Sequence, residues 1–193
     1  EIQQMIPIYK PYIEKYKESA ISTIQDEWIS NHGIFVNLVS EKINDLFGVK
    51  YSILMNNGTA ATHCLMLALK FKYPNISKIY VPNNVFIAPI NCVVQEYGKE
   101  NVEILRSSED DLNFCQTEEY LHSLEKNSGM LVVHNLGYIV DVDHIKRIRP
   151  DIILVEDNCE GIFGKHNNTF SGTTTLCGAL SFYGNKTITS GEG

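Results

Sequence analysis

From residue 51 onward, short apolar runs alternate with stretches of helical periodicity, and this alternation restricts the fold more than any other feature of the chain. The runs Tyr51–Met55, Ile79–Val81, Val102–Leu105, Met130–Val133, Ile152–Val155 and Ala179–Phe182 read as buried strands. Helices are expected between them over 59–71, 86–97, 117–126 and 141–148. Strand and helix in turn imply βα units, which make the sheet mostly parallel and lay helices on both its faces. The expected class is therefore α/β, in α/β/α layers. Upstream, Tyr12, Ile13, Tyr16, Ala20, Ile21, Ile24 and Trp28 recur at three- and four-residue spacing, which predicts a helix over 10–28. Asn31-His32-Gly33 closes it as a turn. A second amphipathic stretch carries Val36, Val39, Ile43, Leu46 and Phe47 on one face and stops at Gly48.

Charge and cysteine usage exclude several functions. The net charge is −7, and the widest basic run is Lys146-Arg147-Ile148-Arg149, so nucleic acid is an unsuitable partner. Five scattered cysteines with no C-x-x-C pair argue for free thiols in a reducing compartment rather than a disulfide framework or zinc ribbon. Glu1-Ile2-Gln3-Gln4-Met5-Ile6-Pro7 lacks a basic-then-apolar leader, and no apolar run reaches membrane-spanning length. A cytoplasmic protein without a membrane partner is the expectation.

Ligands of such sheets bind beyond the carboxyl ends of the strands, so three segments carry the functional information. Asn56-Asn57-Gly58-Thr59-Ala60-Ala61-Thr62 enters a helix. There Gly58 permits a tight turn, and the free amides with the Thr59 hydroxyl make an anion site. A plain glycine turn with Thr59 as N-cap uses the same residues. No G-x-G-x-x-G dinucleotide fingerprint is present. Val155-Glu156-Asp157-Asn158-Cys159-Glu160-Gly161 puts carboxylates directly after an apolar strand, where they can hold a cationic nitrogen or a metal, or cap the next helix. Ser181-Phe182-Tyr183-Gly184-Asn185-Lys186-Thr187 places a lysine at the end of a buried strand, where desolvation favours the free amine that a Schiff base requires. The glycine spacing before Lys186 is wrong for a P-loop. His134-Asn135 reads either as a ligand contact or as a satisfied sheet end, Asp141 and Asp143 as a helix start, and Asp110-Asp111 as a solvated turn. His134, Asp141 and Cys159 have no recognised ligand spacing, so no metal site is expected.

An anion cradle, a carboxylate and a desolvated lysine are the contacts that pyridoxal phosphate needs. In these blocks, together with Trp28–Gly33, Pro82–Ala88 and the run Thr187-Ile188-Thr189-Ser190-Gly191-Glu192-Gly193, the chain resembles the DegT/DnrJ/EryC1/StrS sugar-nucleotide aminotransferases. The resemblance implies the large domain of a fold-type I pyridoxal-phosphate enzyme over residues 31–193, preceded by an N-terminal helical segment over 1–30. Family members continue past the lysine block into a small C-terminal domain, which this chain is expected to lack. It further implies Lys186 as the Schiff-base lysine, Asp157 as the partner of the pyridine nitrogen, and Gly58, Thr59 and Ser181 as phosphate contacts. Phe86 falls where an aromatic ring meets the cofactor face, and Glu160 lies near its 3-hydroxyl. The implied reaction moves an amino group from L-glutamate to a nucleotide-linked 4-keto-6-deoxy sugar, giving a perosamine or a dTDP-4-amino-4,6-dideoxyglucose, for polysaccharide biosynthesis in a homodimer. The block ending in Lys186 looks closer to perosamine- and viosamine-type enzymes, which aminate C4, than to C3 enzymes. The family's dehydratase branch has histidine in place of the lysine, and Lys186 argues against it. The alternative is an incomplete fragment or remnant that binds cofactor or partner without turnover.

Overall fold

The computed structural model describes residues 10–26, 30–76, 78–110 and 112–193. Its centre is a five-stranded parallel sheet in the order β2-β1-β3-β4-β7, formed by β1 (Ile79–Val81), β2 (Val102–Ile104), β3 (Gly129–Val133), β4 (Ile153–Asp157) and β7 (Gly178–Ala179). A two-stranded antiparallel hairpin, β5 (Lys165–His166) with β6 (Thr169–Phe170), stands apart from it. Strand periodicity sorts the core into two layers. Ile79, Val81, Leu131, Val133, Val155 and Ala179 pack with α3 (Gly58–Lys72) and α4 (Ile87–Tyr97). Tyr80, Met130, Val132 and Leu154 face the other way, onto α5 (Glu118–Ser123) and α6 (Val142–Ile148). The expected α/β/α architecture is the observed one.

Element bounds show where local pattern suffices. Asn57, not Thr59, caps α3, its side chain accepting from Ala60 N at 2.8 Å. Thr117 caps α5 and Asp141 caps α6, each accepting from the amide three residues on. Gly48 ends α2 (Ile34–Phe47) in the left-handed conformation at φ 66°. The helix expected over 10–28 is shorter: a 3-10 turn at Glu14–Tyr16 leads into α1 (Lys17–Gln25), and Trp28 lies outside the described residues. Its apolar stripe, including Tyr16, Ile21 and Ile24, is exposed.

Three strand expectations are corrected. Residues 51–55 form no strand among the described residues, and Tyr51 is 75% and Ile53 78% exposed. An apolar run makes a strand only where a neighbour takes its backbone hydrogen bonds, and here an apolar cavity of about 340 Å³ separates residues 52–55 from β7. The strand expected to stop at Val155 runs on through Glu156 and Asp157, which pair with Val132 and Val133. Of the strand expected over 179–182 only Ala179 remains, in a strand that begins at Gly178, because its ladder to β4 is two residues long.

Leu69 is fully buried in the α3 side of the core, whereas Phe71 on the same helix is 91% exposed. Leu69→Ala is expected to lower stability by about 2–5 kcal/mol, and Phe71→Ala to stay within about 0.5 kcal/mol. Urea unfolding of the two variants checks the layer assignment.

Candidate active site

The carboxyl ends of the parallel strands open into a cleft of about 790 Å³, and all seven sequence-predicted site residues, Gly58, Thr59, Phe86, Asp157, Glu160, Ser181 and Lys186, line it. Its floor is the end of β4. Asp157 is buried there, and Thr62 Oγ1, one turn into α3, donates to its Oδ2 at 3.3 Å. Cys159 N donates to Oδ1 at 3.0 Å. Burial still dominates and pushes the carboxyl's pKa above the ordinary value, against these donors and the nearby Lys186 charge. A cationic nitrogen placed against Asp157 would remove that penalty.

The anion cradle is the start of α3. Its first bond of helical type runs from Ala61 N to Asn57 O at 3.1 Å, so the amides of Gly58 and Thr59 precede the helix's own hydrogen bonding. A Cβ on Gly58 would lie 2.8 Å from Ser181 Cβ and 3.1 Å from Cys159 Sγ. Glycine is thus required by close approach rather than by its φ. Ser181 Oγ accepts a long bond from Tyr183 N at 3.4 Å, leaving its own proton free to be donated elsewhere. Two amides, two hydroxyls and a helix N-terminus converge on one wall, which suits a phosphate.

Lys186 lies in a closed loop rather than at a strand end. Ser190 N and Thr189 Oγ1 both donate to Phe182 O, at 3.0 and 2.8 Å, and Lys186 N donates to Tyr183 O at 2.9 Å. Its side chain is 19% exposed, not fully buried, and its Nζ lies 3.1 Å from Glu160 Oε1. The second oxygen of Glu160 accepts from Leu136 N at 2.8 Å, where Leu136 holds φ at +51°. Glu160 therefore ties the loop after β3 to the lysine. Phe86, the residue before α4, presents a ring 71% exposed at the cleft.

Sequence reasoning missed Thr62 and Cys159 as supports of Asp157. Thr62 was legible in principle, four residues beyond Gly58 and so on the same helix face. His134 is a satisfied sheet end, donating Nε2–H to Glu156 Oε2 at 2.9 Å. Among the described residues no group of three or more His, Cys, Asp or Glu converges as a metal site requires, and all five cysteines are free.

The family model for DegT/DnrJ/EryC1/StrS aminotransferases matches residues 12–193. The chain belongs to this family. GDP-perosamine synthase of Vibrio cholerae is 27% identical over 193 residues, which cover 98% of this chain and 51% of that protein. GDP-4-keto-6-deoxy-D-mannose 3-dehydratase of Yersinia pseudotuberculosis is 29% identical over 181 residues, 91% of this chain and 46% of that one. A solved structure of the E. coli GDP-4-keto-6-deoxy-D-mannose-3-dehydratase with bound hydrated PLP superposes with a TM-score of 0.83 at 26% identity, over 96% of this chain and 49% of its own. The chain thus spans about half the length of the curated relatives it matches. No helix among the described residues is long and apolar enough to cross a membrane.

Because Asp157 binds its proton more tightly folded than unfolded, stability falls as pH rises from the ordinary carboxylate range through the raised pKa, and stays lower above it. Asp157→Asn abolishes this cost. The variant without ligand is expected to melt higher at neutral pH, by about 2–4 °C for each kcal/mol recovered, with a flatter stability profile across that range. Thermal melts from acid to neutral pH check it.

Proposed function

We propose that this chain is the cofactor-binding portion of a pyridoxal-phosphate-dependent sugar-nucleotide aminotransferase, which transfers the amino group of L-glutamate to a nucleotide-linked 4-keto-6-deoxy sugar. The observation that carries the reading is the convergence of Lys186, Asp157 and the Gly58–Thr59–Ser181 cradle on one cleft. When bound, pyridoxal phosphate takes up the electrons left when a Cα–H bond of an amino acid breaks. The amides of Gly58 and Thr59 and the Ser181 hydroxyl would hold its phosphate. Asp157, ionised by the charge it meets, would keep the ring nitrogen protonated. The exposed face of Phe86 would cover the ring and exclude water. Glu160 would sit by the 3-hydroxyl and hold Lys186 ready. The Lys186 amine would hold the cofactor when no substrate is bound and, when free, would be the base that moves a proton between the donor's Cα and the cofactor carbon.

Lys186 favours the aminotransferase branch over the dehydratase branch, although relatives of both kinds are similar to the chain. Perosamine- and viosamine-type chemistry at C4 is the preferred substrate class. Residues 31–193 are the proposed cofactor domain, and of the helical segment proposed over 1–30 the residues 10–26 and 30 are described. The exposed Tyr12, Ile13, Tyr16, Ile21 and Ile24 support a homodimer built in part on that segment, in the cytoplasm.

In the test, the chain is incubated with cofactor, L-glutamate and a 4-keto-6-deoxy sugar nucleotide, and 2-oxoglutarate and amino sugar are measured. Borohydride reduction followed by mass spectrometry is expected to find the cofactor on Lys186. Lys186→Ala is expected to lower turnover by about 100- to 10,000-fold and to abolish the adduct while leaving the melting curve nearly unchanged. An adduct on Lys165 would overturn the site, and cofactor binding without product would leave the remnant reading in its place.

A further inference from the structure

Glu156 takes no part in the chemistry above, yet it is fully buried on the sheet face opposite Asp157. Five donors surround it. Its Oε2 accepts from His134 Nε2 at 2.9 Å and from Gly172 N at 2.7 Å. Its Oε1 accepts from Thr175 Oγ1 at 2.9 Å, Thr174 N at 3.2 Å and Thr174 Oγ1 at 3.4 Å. The histidine cannot reverse its role, because its Nδ1 accepts from Val140 N at 3.2 Å, which leaves the proton on Nε2. Burial alone would raise the Glu156 pKa, but the donors from His134, Gly172 and Thr175 outweigh it and hold the group below the usual carboxylate range.

The segment fastened this way delivers the chain to β7. That strand pairs with β4 over two residues only, with Glu156 N donating to Cys177 O at 3.0 Å and Asn158 N to Ala179 O at 2.8 Å. Gly178 presses so closely on the Gly172 backbone that a Cβ would meet its Cα at 2.8 Å. Ser181 and then the Lys186 loop follow directly. So short a ladder fixes its own register weakly, and what surrounds it must do the rest.

We propose that Glu156, oriented by His134, is a positioning residue for the cleft: it pins the 172–175 turn, sets the register of β7 on β4, and so places Ser181 against Gly58 and Lys186 beside Glu160. As a statement about the site, the proposal rests on the cofactor reading above. A residue that only stabilises the core would lower the melting temperature without moving the cleft.

Glu156→Gln separates the two roles, because it keeps the shape and turns one acceptor into a donor facing donors. Leu154→Ala, on the same strand and the same buried face, is the control for lost stability. Hydrogen exchange without ligand is expected to quicken over 172–181 in Glu156→Gln while β3 and α6 stay protected. The Kd for pyridoxal phosphate, titrated below the melting temperature, is expected to rise roughly ten-fold or more, as loss of a hydrogen bond to a charged group allows, and Leu154→Ala is expected to leave it unchanged. If Glu156→Gln does not fold, Thr175→Val, which removes one donor and keeps the shape, is expected to show the same local exchange pattern and a smaller rise in Kd. Exchange that is unchanged or raised everywhere, or a Kd no more affected than in Leu154→Ala, overturns the proposal. Failure of the unaltered chain to bind the cofactor overturns the cofactor reading instead, and the exchange result still decides the role of Glu156 in the register of β7.

Discussion

Two carboxylates, adjacent in sequence and both removed from water, end the interior strand β4, and strand alternation sends them to opposite faces of the sheet. Burying either one is costly, and the protein meets the two costs differently. Glu156 is surrounded by donors and stays ionised, so it acts as a fixed anion around which a turn is built. Asp157 receives a hydroxyl and one amide and remains short of compensation at the floor of an open cleft. The first arrangement makes structure and the second invites a cation. Much of the cleft follows from that division of labour across one peptide bond.

The layers were legible because each buried residue had to choose a face. The apolar positions of β1, β3 and β4 contribute alternately to the two core clusters, and α3, α4 and α6 stop within a residue or two of their expected ends. What the sequence concealed was partnership. Tyr51–Met55 has the composition of a strand, but pairing depends on what lies beside it, and no ladder reaches it among the described residues. Glu156 and Asp157 resemble loop residues until donors from Gly172 to Thr175, distant in sequence, are brought against the first of them. In the cleft, the types and order of Gly58, Thr59, Asp157, Ser181 and Lys186 pointed to residues that fold onto one site. Glu160 as the counter-ion of Lys186 became visible only in three dimensions, because the two are joined by folding rather than by spacing.

The cavity between residues 52–55 and β7 has a consequence for the physical state of the molecule. It is walled by apolar side chains of α2, among them Phe35, Val39 and Phe47, and it borders a strand that pairs on one side among the described residues. β7 is only two residues long, so its edge is a poor template for another strand, and what the void leaves unfilled is the apolar wall of α2. Association of copies over that wall is opposed by the net charge of −7, through a repulsion that added salt weakens. Colloidal behaviour and the architecture of the cleft thus meet at β7, one of whose ends leads to the lysine loop while its margin faces the void.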